Sequence, residues 1–247
     1  MATKDNINNY KRLKNVLIVR FSAITDVVLT IPVVYSACCS YPDVNFYLVT
    51  RQSMSTIFIN APKNLKLVGV DIKELYNGLR GARRLLNELY REYAIDAMVD
   101  LQNNCYSSIM RLFCRFRGIP TACINDGQGS KNALIRKNNK VMLPLTSMIA
   151  RYRETFFRIG LPMQDSFEGL YGKGNADIQS FAELSSPKAD DEIWIGIAPF
   201  AKHKGKVYPL NLMEKVVDDL SQITHAKIFL FGGNDEQEVL GGWAQKY

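Results

Sequence analysis

Between residues 15 and 125 the chain alternates short, unbroken apolar runs with longer stretches whose apolar residues recur every three to four positions. The runs are NVLIVRF (15–21), VNFYLVT (44–50), LKLVGV (65–70), DAMVDLQ (96–102) and TACIN (121–125), and helices are expected at 26–40, 52–60, 75–93 and 104–116. A strand apolar along its whole length must be covered on both faces, which parallel sheets achieve through crossover helices. The pattern therefore predicts a doubly wound α/β domain. A further helix is expected over 146–160, closing at Gly160 before Pro162.

Residues 161–190 are rich in Gly, Ser, Pro and Asp with little periodicity, and read as a connection. From 191 the α/β pattern resumes. EIWIGIAPF is a strand, PLNLMEKVVDDLSQI a helix with Pro209 in its first turn, AKIFLFGG a second strand and DEQEVLGGWAQKY a second helix. Two strands and two helices bury too little to stand alone as an α/β domain. The expected organisation is thus a first domain over 1–160, a connection over 161–190 and an incomplete second Rossmann-like domain over 191–247, its natural C-terminal part missing.

The composition, 47% hydrophobic and 22% charged over 247 residues, is that of an ordinary globular protein. The first fifteen residues are polar, unlike a secretory signal, and the longest apolar stretch, 27–39, is broken by Thr30, Pro32 and Ser36. It is shorter than the ~20 residues of a membrane span, so a cytoplasmic location is expected. Cys38, Cys39, Cys105, Cys114 and Cys123 show no CxxC spacing, and their odd number favours reduced thiols. With only His203 and His225 present, no histidine-based metal site is expected. The net charge of +7 fits either solubility or an anionic partner. No zinc-finger, RNP or helix-turn-helix pattern points to nucleic acid.

Three places carry candidate chemistry. Asp26 lies in the turn of VLIVRFSAITDVVLTIPVV, where the first strand hands over to its helix. There a carboxylate either satisfies free helix amides or faces a ligand crevice as a general base. In APFAKHKGKVYP (198–209), Lys202, Lys204 and Lys206 sit on a loop feeding a helix N-terminus, a place that favours anions, although such a run is also an ordinary solvated loop. In FLFGGNDEQEV (229–239), Gly232 and Gly233 permit close approach after a strand, and Glu236 stands where a carboxylate can hold ribose hydroxyls. The helix LRGARRLLNELYREY directs Leu79, Ala82, Leu86, Leu89 and Tyr93 to one side, and Arg80, Arg84 and Arg91 towards the other. That basic side is either solvated or set against anionic lipid headgroups.

These constellations, with VDLQNN (99–104) and ARYRETFFRIGLP (150–162), resemble the ADP-heptose:lipopolysaccharide heptosyltransferase family, glycosyltransferase family 9, from about residue 14 to the end. The resemblance implies a GT-B architecture of two Rossmann-like domains. It implies an inverting, metal-independent and cofactor-free transfer of a sugar, heptose, from an ADP-linked donor to an anionic lipid-linked acceptor at the inner membrane surface. Asp26 then corresponds to the catalytic base, and Lys206, before Tyr208-Pro209, to the group stabilising the leaving diphosphate. Lys202 takes a neighbouring phosphate contact, and Glu236 with Gly232 and Gly233 the nucleotide. Arg20, Ser22, Lys131 and Arg136 are candidates for the acceptor.

The chain departs from the family in two respects. Thr25 replaces a usual glycine, and a β-branched residue resists positive φ, so either a reshaped loop or an altered acceptor site is expected. The later Gly-Thr/Ser segment with its histidine is missing. The alternative reading is accordingly a non-catalytic remnant that binds nucleotide or anionic glycolipid. A third is a basic module whose binding falls steeply with salt.

Overall fold

The computed structural model describes residues 13–174 and 186–247. The chain separates into two compact units, 1–175 and 176–247. The first is built on a five-stranded sheet in the order β3-β2-β1-β4-β5, comprising β1 (Asn15–Val19), β2 (Asn45–Arg51), β3 (Leu65–Val70), β4 (Ala97–Asp100) and β5 (Thr121–Cys123). All neighbours are parallel, with Val16 opposite Phe46 on one side and Ala97 on the other. Each predicted strand is present, and β1, β4 and β5 end earlier than expected, where their last residues turn into loop.

Both faces are covered, as the unbroken apolar runs require. Val16, Ile18, Phe46, Leu48, Ala97 and Val99 point to one side. There they meet α1 (Ile24–Val28), α2 (Ile31–Ser40) and α7 (Met148–Arg158), through Val27, Val34, Tyr152 and Phe156. Leu17, Val19, Val49 and Met98 point to the other. They pack on Leu85, Leu86 and Leu89 of α4 (Gly78–Tyr93) and on Met110 and Cys114 of α5 (Cys105–Phe116).

Four departures from the predicted elements have local causes. The single helix expected over 26–40 is two, because Pro32 lies in the first turn of α2 and its ring would clash with a continuous helix. Only α3 (Gln52–Ser55) forms within the helix expected over 52–60. On α4 the buried face holds Leu85 rather than Leu79, which is exposed in the first turn. An unforeseen helix, α6 (Gln128–Ile135), follows Gly127. It buries no residue, so its sequence carries no apolar stripe to find. Residues 161–170, read from composition as connection, pack on the first unit. Leu161 lies in its core with Met163, Phe167 and Leu170 against it.

The second unit has two parallel strands, β6 (Ile193–Ile197) and β7 (Ala226–Leu230), paired from Ile193–Ala226 to Ile197–Leu230. One face packs Ile195, Ile197, Ile228 and Leu230 against Val217 of α8 (Leu210–Ser221) and Leu240 and Trp243 of α9 (Gln237–Lys246). On the opposite face Trp194 and Phe229 lie against each other, ring centroids 4.9 Å apart. Among the described residues each strand pairs on one side only.

Candidate active site

The strand order reverses between β1 and β4, which creates a crevice beyond their carboxyl ends. Arg20 follows β1 directly, and its side chain is 7% exposed. The guanidinium donates through Nη1 to the Leu101 carbonyl at the end of β4, and through Nη2 to the Asp26 carboxylate. It also lies over the Tyr152 ring, 5.9 Å from the centroid. The Tyr152 hydroxyl donates to the Asp26 backbone carbonyl at 3.2 Å, and burial pushes that phenol up to about 12, which keeps it a donor. Asp26 is therefore gripped by its side chain from β1 and by its backbone from α7. Its carboxylate caps no helix amide, which removes the capping role as the reason for a carboxylate at this turn.

Gln102 ties the other side of the crevice. Its Oε1 accepts from the amides of Phe21 and Ser22, at 2.8 and 3.1 Å, and its Nε2 donates to the Ser22 hydroxyl at 3.3 Å. Behind it the fully buried Asp100 accepts from the amides of Gln102 and Asn103 and pairs with Arg111 at 3.2 Å. The turn after β1 is thus stapled to the end of β4 by side chains rather than by ladder hydrogen bonds. Thr25 sits within α1 and has no positive φ, so its branching puts no strain on the backbone there.

A third wall comes from β5 onwards. Gly127 has φ 73°, and a Cβ there would stand 2.3 Å from Arg151 Nη2, so the position needs glycine both for its backbone and for the close approach. Arg151, 7% exposed, donates from Nη1 to the Asn125 carbonyl and from Nε to that of Thr146. These walls enclose a cavity of about 560 Å³ that Arg20, Asp26, Gln102, Asp126, Lys131 and Arg151 line. Three cations against two carboxylates leave a positive lining, suited to an anionic or hydroxyl-rich ligand.

Among the candidate acceptor residues, Arg20 and Lys131 line this cavity, Ser22 contacts it through Gln102, and Arg136 lies outside its lining at the end of α6. Gln102, Asp126, Arg151 and Tyr152 were missed as site residues. Gln102 carried a signal, being a polar side chain at the end of an apolar strand. Arg151 did not, because a guanidinium in an amphipathic helix reads as solvated.

In the second unit, the register that sets Ile197 beside Leu230 brings the loops after β6 and β7 out at one end of the sheet. The first passes through a turn of 3-10 helix, Lys204–Lys206, to the N-terminus of α8, with Lys202, Lys204 and Lys206 exposed. In the second, Gly233 donates its amide to Glu236 Oε2 at 2.6 Å, closing the loop on itself. A Cβ on Gly232 would meet Leu240 Cδ1 at 2.5 Å, so the turn packs tightly on α9. Gly232 and Gly233 line a groove of about 770 Å³ along β7 and α9, with Phe231 and Trp243. Gly232, Gly233 and Glu236 therefore come together, whereas Lys202 and Lys206 stand on the neighbouring loop.

Comparison with solved structures assigns the fold. A glycosyl transferase family 9 protein from Veillonella parvula DSM 2008 aligns over 94% of this chain and 67% of its own, with a TM-score of 0.69 at 17% identity. The chain has the fold of that glycosyltransferase. E. coli heptosyltransferase WaaC with ADP-2-deoxy-2-fluoro heptose aligns over 94% of this chain and 73% of its own, with a TM-score of 0.60 at 18% identity. E. coli ADP-heptose lps heptosyltransferase II gives 0.58 at 15% identity, over 94% and 69%. No family model and no curated protein matches the sequence. The α/β class expected from the sequence, in its GT-B form, is thereby confirmed.

Proposed function

We propose that the chain is an inverting glycosyltransferase that moves heptose from an ADP-linked donor to an anionic, lipopolysaccharide core-type acceptor at the inner membrane surface, without a metal or other cofactor. The observation that carries this is the Arg20–Asp26 pair at the topological switch point, on a cavity with a positive lining. A neighbour with the same fold holds an ADP-heptose analogue.

In this reading the acceptor lies in the first unit's cavity, and Asp26 takes the proton from its hydroxyl as that oxygen attacks the anomeric carbon. The bond from that carbon to the diphosphate breaks on the opposite face, which inverts the centre. Lys206, with Lys202 beside it, sets positive charge where the leaving diphosphate gathers negative charge. Glu236 serves the ribose, exchanging its bond from the Gly233 amide for the sugar hydroxyls, and Gly232 and Gly233 let the nucleotide approach the backbone. Arg20 becomes a positioning residue. Bound to Leu101 and covered by Tyr152, it aims the carboxylate rather than meeting the acceptor.

A second reading, binding of nucleotide or glycolipid without turnover, is favoured by the two-stranded sheet of the second unit. Release of nucleoside diphosphate from the donor, measured with and without acceptor, separates the two. Transfer predicts acceptor-dependent release that Asp26→Asn lowers by about 10²–10⁴, with donor binding kept. No release from the native chain while donor binds would establish the second reading.

A further inference from the structure

The segment joining α6 to α7 stands apart from the rest of the surface. Between Asp126 and Glu154 the sequence holds six cations, Lys131, Arg136, Lys137, Lys140, Arg151 and Arg153, and no acid. Arg151 is buried, but Lys131, Arg136, Lys137 and Lys140 are exposed, and none is paired with an acid among the described residues. Interleaved with them are large apolar side chains turned outwards, Ile135 at 73% exposure, Met142 at 77% and Leu143 at 68%. The Val141 amide donates to the Ala133 carbonyl at 3.2 Å, folding the segment that carries these cations and apolar groups back on α6. Lys131 and Leu145 extend that segment onto the lining of the Asp26 cavity.

We propose that residues 131–145 dock on an anionic phospholipid bilayer, cations on headgroups and Met142 and Leu143 in the interface. Cations alone fit any polyanion, but exposed aliphatic groups gain only where an apolar phase receives them. The segment 127–147 contains no aromatic residue, which lacks the stacking groups that single-stranded nucleic acid uses. On α4, the other basic surface, two of the four arginines are already engaged. Arg84 pairs with Glu88 at 2.8 Å, and Arg83 lies over Phe113. Docking at 131–145 would bring the rim of the Asp26 cavity to the lipid surface. The inference rests on the proposed transfer only for why that placement is useful.

The test is co-sedimentation of the full chain with phosphatidylcholine vesicles, with and without phosphatidylglycerol. Binding is expected only with the anionic lipid and falls as salt rises. Each lysine near such a surface contributes about fivefold, so K137S/K140S should weaken binding about 25-fold. M142S/L143S should weaken it about tenfold through lost apolar contact. R80S/R91S on α4 should leave it unchanged, and Asp26→Asn should bind as the native chain does, which keeps this test independent of turnover. The inference is overturned by undiminished binding of both segment variants, by an equal loss in R80S/R91S, by equal binding to neutral vesicles, or by retention on heparin or RNA without vesicle binding.

Discussion

The two units treat their polar residues in opposite ways. In the first, five strands covered on both faces make a frame rigid enough to hold charge below the surface. Arg20 and Arg151 are nearly buried, each spanning two loops. In the second, two strands covered on one face share a core with four buried apolar side chains, Ile197, Val217, Leu240 and Trp243, while Lys202 and Lys206 stand in solvent and Glu236 is half-buried. The lesson is that a charged side chain can be aimed in advance only where enough apolar surface is buried around it to offset its desolvation. The crevice of the first unit is held in place by buried charge, and the loops of the second unit leave their lysines unheld.

After Asp26→Asn, the largest expected effect tests the exposed side. Lys206→Met should lower kcat by about 10²–10³, as loss of one group stabilising developing charge does, while leaving the melting of the first unit unchanged in calorimetry. A loss of stability instead would mean that Lys206 supports the fold. The next effect tests the frame. Phe156 is fully buried against Phe46, 6.5 Å between centroids, and Phe156→Ala should cost about 3–5 kcal/mol. Hydrogen exchange should then show the first unit's amides opening and the second unit's unaffected.

A ligand should sharpen the contrast from the other direction. ADP at about 100 times its dissociation constant should add about 2.7 kcal/mol, with protection confined to the loops after β6 and β7. UDP, GDP and CDP serve as controls, and an equal shift with all four would argue against an adenine site. Gly127→Ala should cost about 1–3 kcal/mol, from a left-handed backbone and the displaced Arg151 guanidinium together, read from a chemical melt.

The smallest effect is confined to alkali. Burial pushes the Cys114 thiol from 9.0 up to about 12. Because its folded value is raised, the stability it contributes is whole below pH 9 and is lost as pH rises from there through about 12. The first unit should therefore weaken above pH 9, and Cys114→Ala should flatten that slope. Cys39 and Cys105, both exposed, should meet a thiol reagent in the native state, and Cys114 only after unfolding.

The unbroken apolar runs sufficed for the parallel sheet, since a strand with no polar face has nowhere else to go, and the position of Asp26 just after β1, in the first turn of α1, marked the crevice. The short helix α6 left no trace, because a helix that buries nothing has no stripe. Local pattern likewise determined the loops of the second unit, their lysines and glycines being set by chain order alone. What only the tertiary structure decided is the company Asp26 keeps. Arg20 lies six residues away, but Gln102 and Tyr152 come from the loop after β4 and from α7, far along the chain, and converge through the strand order. Periodicity records which face of an element is buried, whereas the partner of a buried charge depends on which strands become neighbours, and only packing settles that.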